Sequence, residues 1–121
     1  MNAAIPLAIS MFGIPNCDTV KKSRAWFDEK GIAYHFHDFK KLGVPEQALR
    51  EWIKTLGWDA LVNKKGTTWC KLDPAAQMAV CDSESAVALM LTNASVIKRP
   101  VVVVYTGNGS KISVGYAPEK W

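Results

Sequence analysis

Apolar positions along this chain fall into short blocks whose spacing changes from one to the next. Residues 7–14 (Leu-Ala-Ile-Ser-Met-Phe-Gly-Ile) form an apolar run of strand length and predict a buried β-strand. The polar turn Pro15-Asn16-Cys17-Asp18-Thr19 breaks it. A helix is then expected to about Lys30, capped by Asp18 or Thr19 and ended by Gly31, with Trp26, Phe27, Ser23 and Ala25 on its packing surfaces. Alternation resumes from Ile32 to Phe39, with Tyr34, Phe36 and Asp38 on one face and His35, His37 and Phe39 on the other. A strand–helix–strand unit of this size closes as a right-handed crossover, which makes its two strands parallel.

The middle of the chain reads as helical. Pro45 opens a segment to Leu56 in which Leu49, Trp52, Ile53 and Leu56 recur at helical spacing, and Gly57 closes it. Residues 63–68 (Asn-Lys-Lys-Gly-Thr-Thr) are a polar loop, with Thr67 or Thr68 capping a short helix around Trp69 to Leu72. Asp73-Pro74 starts another helical piece to about Val80. Asp82 or Ser83 caps a last one, with Val87, Met90 and Leu91 as its apolar stripe. Residues 96–105 (Val-Ile-Lys-Arg-Pro-Val-Val-Val-Val-Tyr) return to strand character, with Pro100 tolerated near the start. Gly107-Asn108-Gly109 is a hairpin turn signal, Lys111 to Val114 the returning strand, and residues 115–119 a turn leading towards a helix. The first strand pair is then parallel and the last antiparallel, which implies a mixed four-stranded sheet.

The length, 121 residues, suits one compact domain, with the helical insertion between strands 2 and 3 spanning about residues 41–95. With 49% apolar and 21% charged residues the composition is that of a globular protein. No apolar run reaches the roughly 18–20 residues that span a bilayer, and the first ten residues lack the basic start of a signal peptide, so a cytoplasmic protein with no membrane partner is expected. The net charge of +4 is spread over scattered lysines, which points to a solvated surface or a small anionic ligand rather than to nucleic acid. Three separated cysteines, Cys17, Cys70 and Cys81, give neither a disulfide framework nor a zinc pattern. His35 and His37 alternate on a strand with no matching ligand pair, so no metal is expected.

Cys17 carries the candidate chemistry. A helix N-terminus presents unpaired N–H groups and partial positive charge, and a cysteine held there is biased towards the nucleophilic thiolate. Thr19 is placed to donate to the sulfur, while the Asp18 carboxylate opposes ionisation unless it turns to cap the helix. Asn16 fits either a turn position or a substrate-orienting one. Lys64 and Lys65 suit either a solvated basic loop or a site for an oxyanion or a carboxylate. Cys81 reads as structural and Cys70 as a weak candidate for resolving an oxidised Cys17.

Five blocks together carry a resemblance: residues 13–22 (Gly-Ile-Pro-Asn-Cys-Asp-Thr-Val-Lys-Lys), 34–39 (Tyr-His-Phe-His-Asp-Phe), 63–69 (Asn-Lys-Lys-Gly-Thr-Thr-Trp), 97–101 (Ile-Lys-Arg-Pro-Val) and 114–116 (Val-Gly-Tyr). With the helical insertion, the chain resembles the ArsC/Spx family, and within it the YffB-type branch, from about residue 8 onwards. The resemblance implies an α/β thioredoxin-like fold in which Pro100 is cis and faces Cys17. It implies a glutathione-dependent thiol-disulfide reductase with a single cysteine nucleophile, and glutathione or glutaredoxin as electron donor. Arg99, beside Pro100, would hold the thiolate and developing negative charge, and a cis Pro100 would expose its neighbours' backbone to an extended thiol peptide. No bound cofactor is implied, and glutathione enters as a co-substrate. Two alternatives come with the family: reduction of arsenate or another oxyanion, and a non-enzymatic, Spx-like protein-binding module. Arsenate reductases gather several arginines, and here only Arg99 has a clear counterpart; lysine lacks the bidentate fork. The Cys-x-x-Cys of Spx-type redox control is interrupted, because the position three after Cys17 is Val20.

Overall fold

The computed structural model describes residues 8–106 and 109–121. Leu7 and the Gly107-Asn108 part of the expected hairpin turn lie outside the described residues. The chain divides into two compact units, one built from its beginning and end (to Leu42 and from Arg99) and one from residues 43–98.

The first unit is a four-stranded sheet with one long helix. Strand β1 (Ala8–Gly13) leads through a turn to α1 (Asp18–Lys30) and β2 (His35–Asp38); α2 (Phe39–Leu42) is a single turn, and β3 (Val101–Thr106) and β4 (Gly109–Val114) follow in the second half of the chain. The strand order is β2-β1-β3-β4. β1 and β2 are parallel, as the crossover requires, with Ser10 opposite His35 and Gly13 opposite Asp38. β3 runs antiparallel to both β1 and β4, with Val101 opposite both Phe12 and Val114. The sheet is therefore mixed, as the strand pattern implies, and has the thioredoxin-like α/β arrangement that the family resemblance implies.

Period-two alternation decides which side chains meet α1. Ile9 and Met11 lie beside Val104 and Val102 and share one core cluster with Val20 and Phe27 of the helix. Val20, Ser23 and Phe27 are spaced so that they line one helical face, and all are fully buried. The buried Ser23 hydroxyl donates to the Thr19 carbonyl at 2.7 Å, which satisfies it within the helix. Tyr34 and Phe36 pack against this same cluster, while His37 lies 5.2 Å from the Phe12 ring on the opposite face. Gly31 ends α1 at φ +67°, and Ile32 N–H reaches back to the Phe27 carbonyl at 3.0 Å. β2 is shorter than the alternation suggests, because Asp38 caps the next turn: its carboxylate accepts from Lys40 N–H at 2.8 Å, and Phe39 begins α2.

The second unit holds α3 (Glu46–Leu56), α4 (Trp58–Leu61), α5 (Thr67–Cys70), α6 (Pro74–Ala79) and α7 (Ser83–Thr92), then a 3-10 turn (Ala94–Val96). Leu49, Trp52 and Ile53 of α3 and Ala86, Val87 and Met90 of α7 are its buried apolar stripes. Two sequence expectations change here. α5 starts after Gly66 with no side-chain cap, so neither Thr67 nor Thr68 is the cap; both are already inside the helix. Residues 96–100 are not strand: Val96 belongs to the 3-10 turn, Ile97 makes an isolated bridge to Val62, and the ladder starts only at Val101, past Pro100, which has no N–H to contribute.

Candidate active site

Cys17 sits where the chain leaves β1 and has not yet become helical. Its N–H donates to the Ile14 carbonyl at 3.1 Å and closes a turn with Pro15 in the second position, where the fixed φ of proline suits the bend. Its backbone is extended (φ −91°, ψ 130°), and its carbonyl accepts the first helical bond, from Lys21 N–H at 2.9 Å. Cys17 is therefore the N-cap residue of α1, in place of the expected Asp18 or Thr19, which fall one and two residues inside the helix. The thiol makes no capping hydrogen bond of ordinary geometry.

The sulfur is partly buried against the Ile9–Met11–Val20–Phe27 core. That burial alone pushes its pKa up. The Val20 N–H, the Arg99 guanidinium, the Thr19 N–H and the Arg99 charge act in the opposite direction and outweigh it, so the thiol lies below its ordinary value. The Thr19 contribution comes from its backbone N–H. Arg99 is half-buried; its Nε is buried with no acceptor, while the guanidinium as a whole engages Cys17.

The Arg99–Pro100 peptide bond is cis, and Pro100 is fully buried. The Pro100 carbonyl accepts from Gly115 N–H at 2.9 Å, so that one backbone group beside the proline is already engaged within the fold. Asn16 is exposed in the turn before Cys17. Cys17, Thr19, Arg99, Pro100 and Asn16 all belong to the sheet unit. Lys64 and Lys65 belong to the helical unit, where they line an open cleft of about 270 Å³ with Asp59, Val62, Asn63 and Lys98. Lys64 is paired with Asp59 at 2.8 Å and lies over the Trp58 ring at 5.4 Å, and the pairing holds the Asp59 carboxyl below its usual range.

Cys70 and Cys81 are both exposed; Cys70 ends α5, whereas Cys81 lies in the link between α6 and α7 and not in a helical segment. Among the described residues, no group of three His, Cys, Asp or Glu side chains is placed to hold a metal ion, and no helix is long and apolar enough to cross a membrane. Two contributors were not singled out from the sequence. One is the backbone N–H of Val20, which no side-chain pattern could reveal. The other is Gly13: a Cβ there would lie 2.9 Å from Val20 Cγ2 and 3.8 Å from Pro100 Cα. Its only signal in the sequence is a glycine inside an apolar strand.

Comparison with known proteins adds the following. The ArsC family model matches residues 12–121. A YFFB protein of known structure is 42% identical, covers 93% of this chain and 94% of its own, and superposes with a TM-score of 0.82. An arsenate reductase (ArsC) related protein from Brucella melitensis is 39% identical over 88% of this chain and 87% of its own, with a TM-score of 0.68. An uncharacterized protein of Haemophilus influenzae is 37% identical over 95 residues, 78% of this chain and 82% of its own length.

Proposed function

Starting from the fact that the chain belongs to the ArsC family, we propose that it is a thiol-based reductase and, more finely, that Cys17 is the single nucleophile of a glutathione-dependent thiol-disulfide exchange. The observation that carries this reading is the environment of Cys17: two N–H groups of the first turn of α1 and the Arg99 guanidinium together overcome burial and favour the thiolate. The thiolate is the attacking species in disulfide exchange.

The reaction takes two exchanges. In the first, Cys17 S⁻ attacks the glutathione sulfur of a mixed disulfide between glutathione and a substrate thiol. The Cys17–glutathione S–S bond forms, the original S–S bond breaks, and the substrate leaves as a thiolate that solvent protonates. In the second, the thiolate of another glutathione attacks the glutathione sulfur now bound to Cys17, releasing oxidised glutathione and regenerating Cys17 S⁻. The electron pair that reduces the substrate comes from that second glutathione, so no partner cysteine is needed; position 20, where a Cys-x-x-Cys would have one, is valine. Arg99 stabilises Cys17 as thiolate at the start and as leaving group at the end. Asn16 and the backbone flanking Pro100 serve to orient the glutathione peptide. This chemistry suits a reducing compartment such as the cytoplasm.

A second reading takes arsenate or a related oxyanion as substrate. The likeness to the Brucella melitensis arsenate reductase related protein supports it, and Arg99 supplies one planar fork for an oxyanion. One coupled assay separates the two. Oxidation of NADPH through glutathione reductase is followed with a glutathionylated peptide or with arsenate as substrate, wild type beside Cys17→Ser. Turnover of the peptide that disappears in the variant is the expected result. Turnover of arsenate alone selects the second reading. Turnover of neither, with binding to another protein retained by Cys17→Ser, overturns both in favour of a non-enzymatic binding module.

A further inference from the structure

The close approach of β1 to α1 singles out one more residue. Gly13 is the last residue of β1, four positions before the turn ends at Cys17. A side chain there would put its first carbon 2.9 Å from Val20 Cγ2, closer than real Cβ contacts come, with Val20 Cγ1 at 3.7 Å and Pro100 Cα at 3.8 Å. We propose that Gly13 is a positioning residue for Cys17: its missing side chain lets Val20 seat against the end of β1, and that seating sets where the first turn of α1 holds its N–H groups beside the sulfur.

The reason lies in how little Val20 can yield. It is fully buried and packs into the cluster formed by Ile9, Met11, Phe27, Val102 and Val104. A valine inside a helix keeps one strongly preferred χ1, so the methyl cannot rotate away at low cost. The fully buried Pro100 closes another side of Gly13. A Cβ at position 13 is therefore accommodated by displacing the backbone of the first turn of α1. That backbone carries the Val20 and Thr19 N–H groups that favour the Cys17 thiolate. A shift of a few tenths of an ångström weakens both contacts at once, because they share one rigid turn.

The inference rests on Cys17 being the reactive thiol, and it is tested without any substrate. The rate of Cys17 alkylation by iodoacetamide is measured against pH, resolved from Cys70 and Cys81 by peptide mass spectrometry, for wild type, Gly13→Ala, Val20→Ala and the double variant. Gly13→Ala is expected to slow alkylation at pH 7 about threefold or more, through a higher midpoint, with the limiting rate at high pH unchanged. The double variant is expected to fold and to share the midpoint of Val20→Ala, because removing the valine methyls restores the space. A folded Gly13→Ala with the wild-type midpoint overturns the proposal. If Gly13→Ala does not fold, the double variant decides: a midpoint above that of Val20→Ala, or failure to fold, overturns it. A wild-type midpoint at the ordinary thiol value would instead overturn the reading of Cys17 itself, so the two failures are distinct.

Discussion

The acidity of the Cys17 thiol is set by a contest between burial, which opposes the thiolate, and the donors around it, of which Arg99 is the one that carries full charge. Arg99 contributes twice, by a hydrogen bond and by its charge, and substitutions separate the two. Arg99→Lys keeps a cation and loses the planar fork; Arg99→Met loses both. The thiolate midpoint should rise in the order wild type, Arg99→Lys, Arg99→Met, with alkylation of Cys17 at pH 7 slowed roughly tenfold in Arg99→Met. Peptide-resolved alkylation against pH reads this directly. An unchanged midpoint in Arg99→Met would leave the backbone N–H groups as the whole source of activation. At this scale the sequence is half informative. A cysteine in a polar Pro-Asn-Cys-Asp-Thr turn between a strand and a helix is legible from local chemistry. Arg99 is not: it reaches Cys17 only because β3 lies beside β1, a long-range pairing with no local signature, and only the family resemblance pointed to it.

Among the elements, the helix starts show why some boundaries could be read and others not. α7 begins with a capping box: the Asp82 carboxylate accepts from Ser85 N–H at 2.9 Å, and the Ser85 hydroxyl faces the Asp82 backbone N–H at 3.1 Å. Its Asp-Ser-Glu-Ser sequence states this locally. α1 and α5 start instead on Cys17 and Gly66, neither of which makes a side-chain cap, so the threonines nearby are poor guides. The cap at α7 has a pH signature. The Ser85 N–H and hydroxyl lower the Asp82 pKa below its unfolded value. The stabilisation is then complete above the unfolded pKa and is lost as pH falls through the folded one. Asp82→Ala should therefore lower the melting temperature by a few degrees at neutral pH, and the gap to wild type should shrink as pH falls through the carboxylate range. Thermal unfolding at a series of pH values checks this; a gap that is constant down into strong acid would mean that the cap acts without its charge.

At the scale of the molecule, the sheet unit is assembled from the two ends of the sequence, with the helical unit inserted between them. The sequence made this organisation legible through its change of hydrophobic period, from strand to helix and back to strand. It did not reveal how the end of the chain closes over α1, because an aromatic residue after a Pro-Glu-Lys turn belongs to neither period. Trp121 lies 4.9 Å from the Phe27 ring and 5.3 Å from the Trp26 ring, and its Nε1–H donates to the buried Ser113 hydroxyl at 3.0 Å. One side chain thus joins α1 to β4. Trp121→Ala removes both the ring contacts and the hydrogen bond and is expected to cost about 2 kcal/mol of stability, less than a fully buried tryptophan because the ring is only half-buried. Trp121→Phe keeps an aromatic ring and leaves the Ser113 hydroxyl without this donor, so its cost should be nearer 1 kcal/mol. Urea unfolding followed by far-ultraviolet circular dichroism measures both without depending on the tryptophan removed. Trp121 touches the far part of α1, two turns beyond Val20, so the pH midpoint of Cys17 alkylation should stay at its wild-type value in both variants. A raised midpoint in Trp121→Ala would mean that the seating of α1 on the sheet, and with it the thiolate, depends on the whole length of the helix rather than on its first turn.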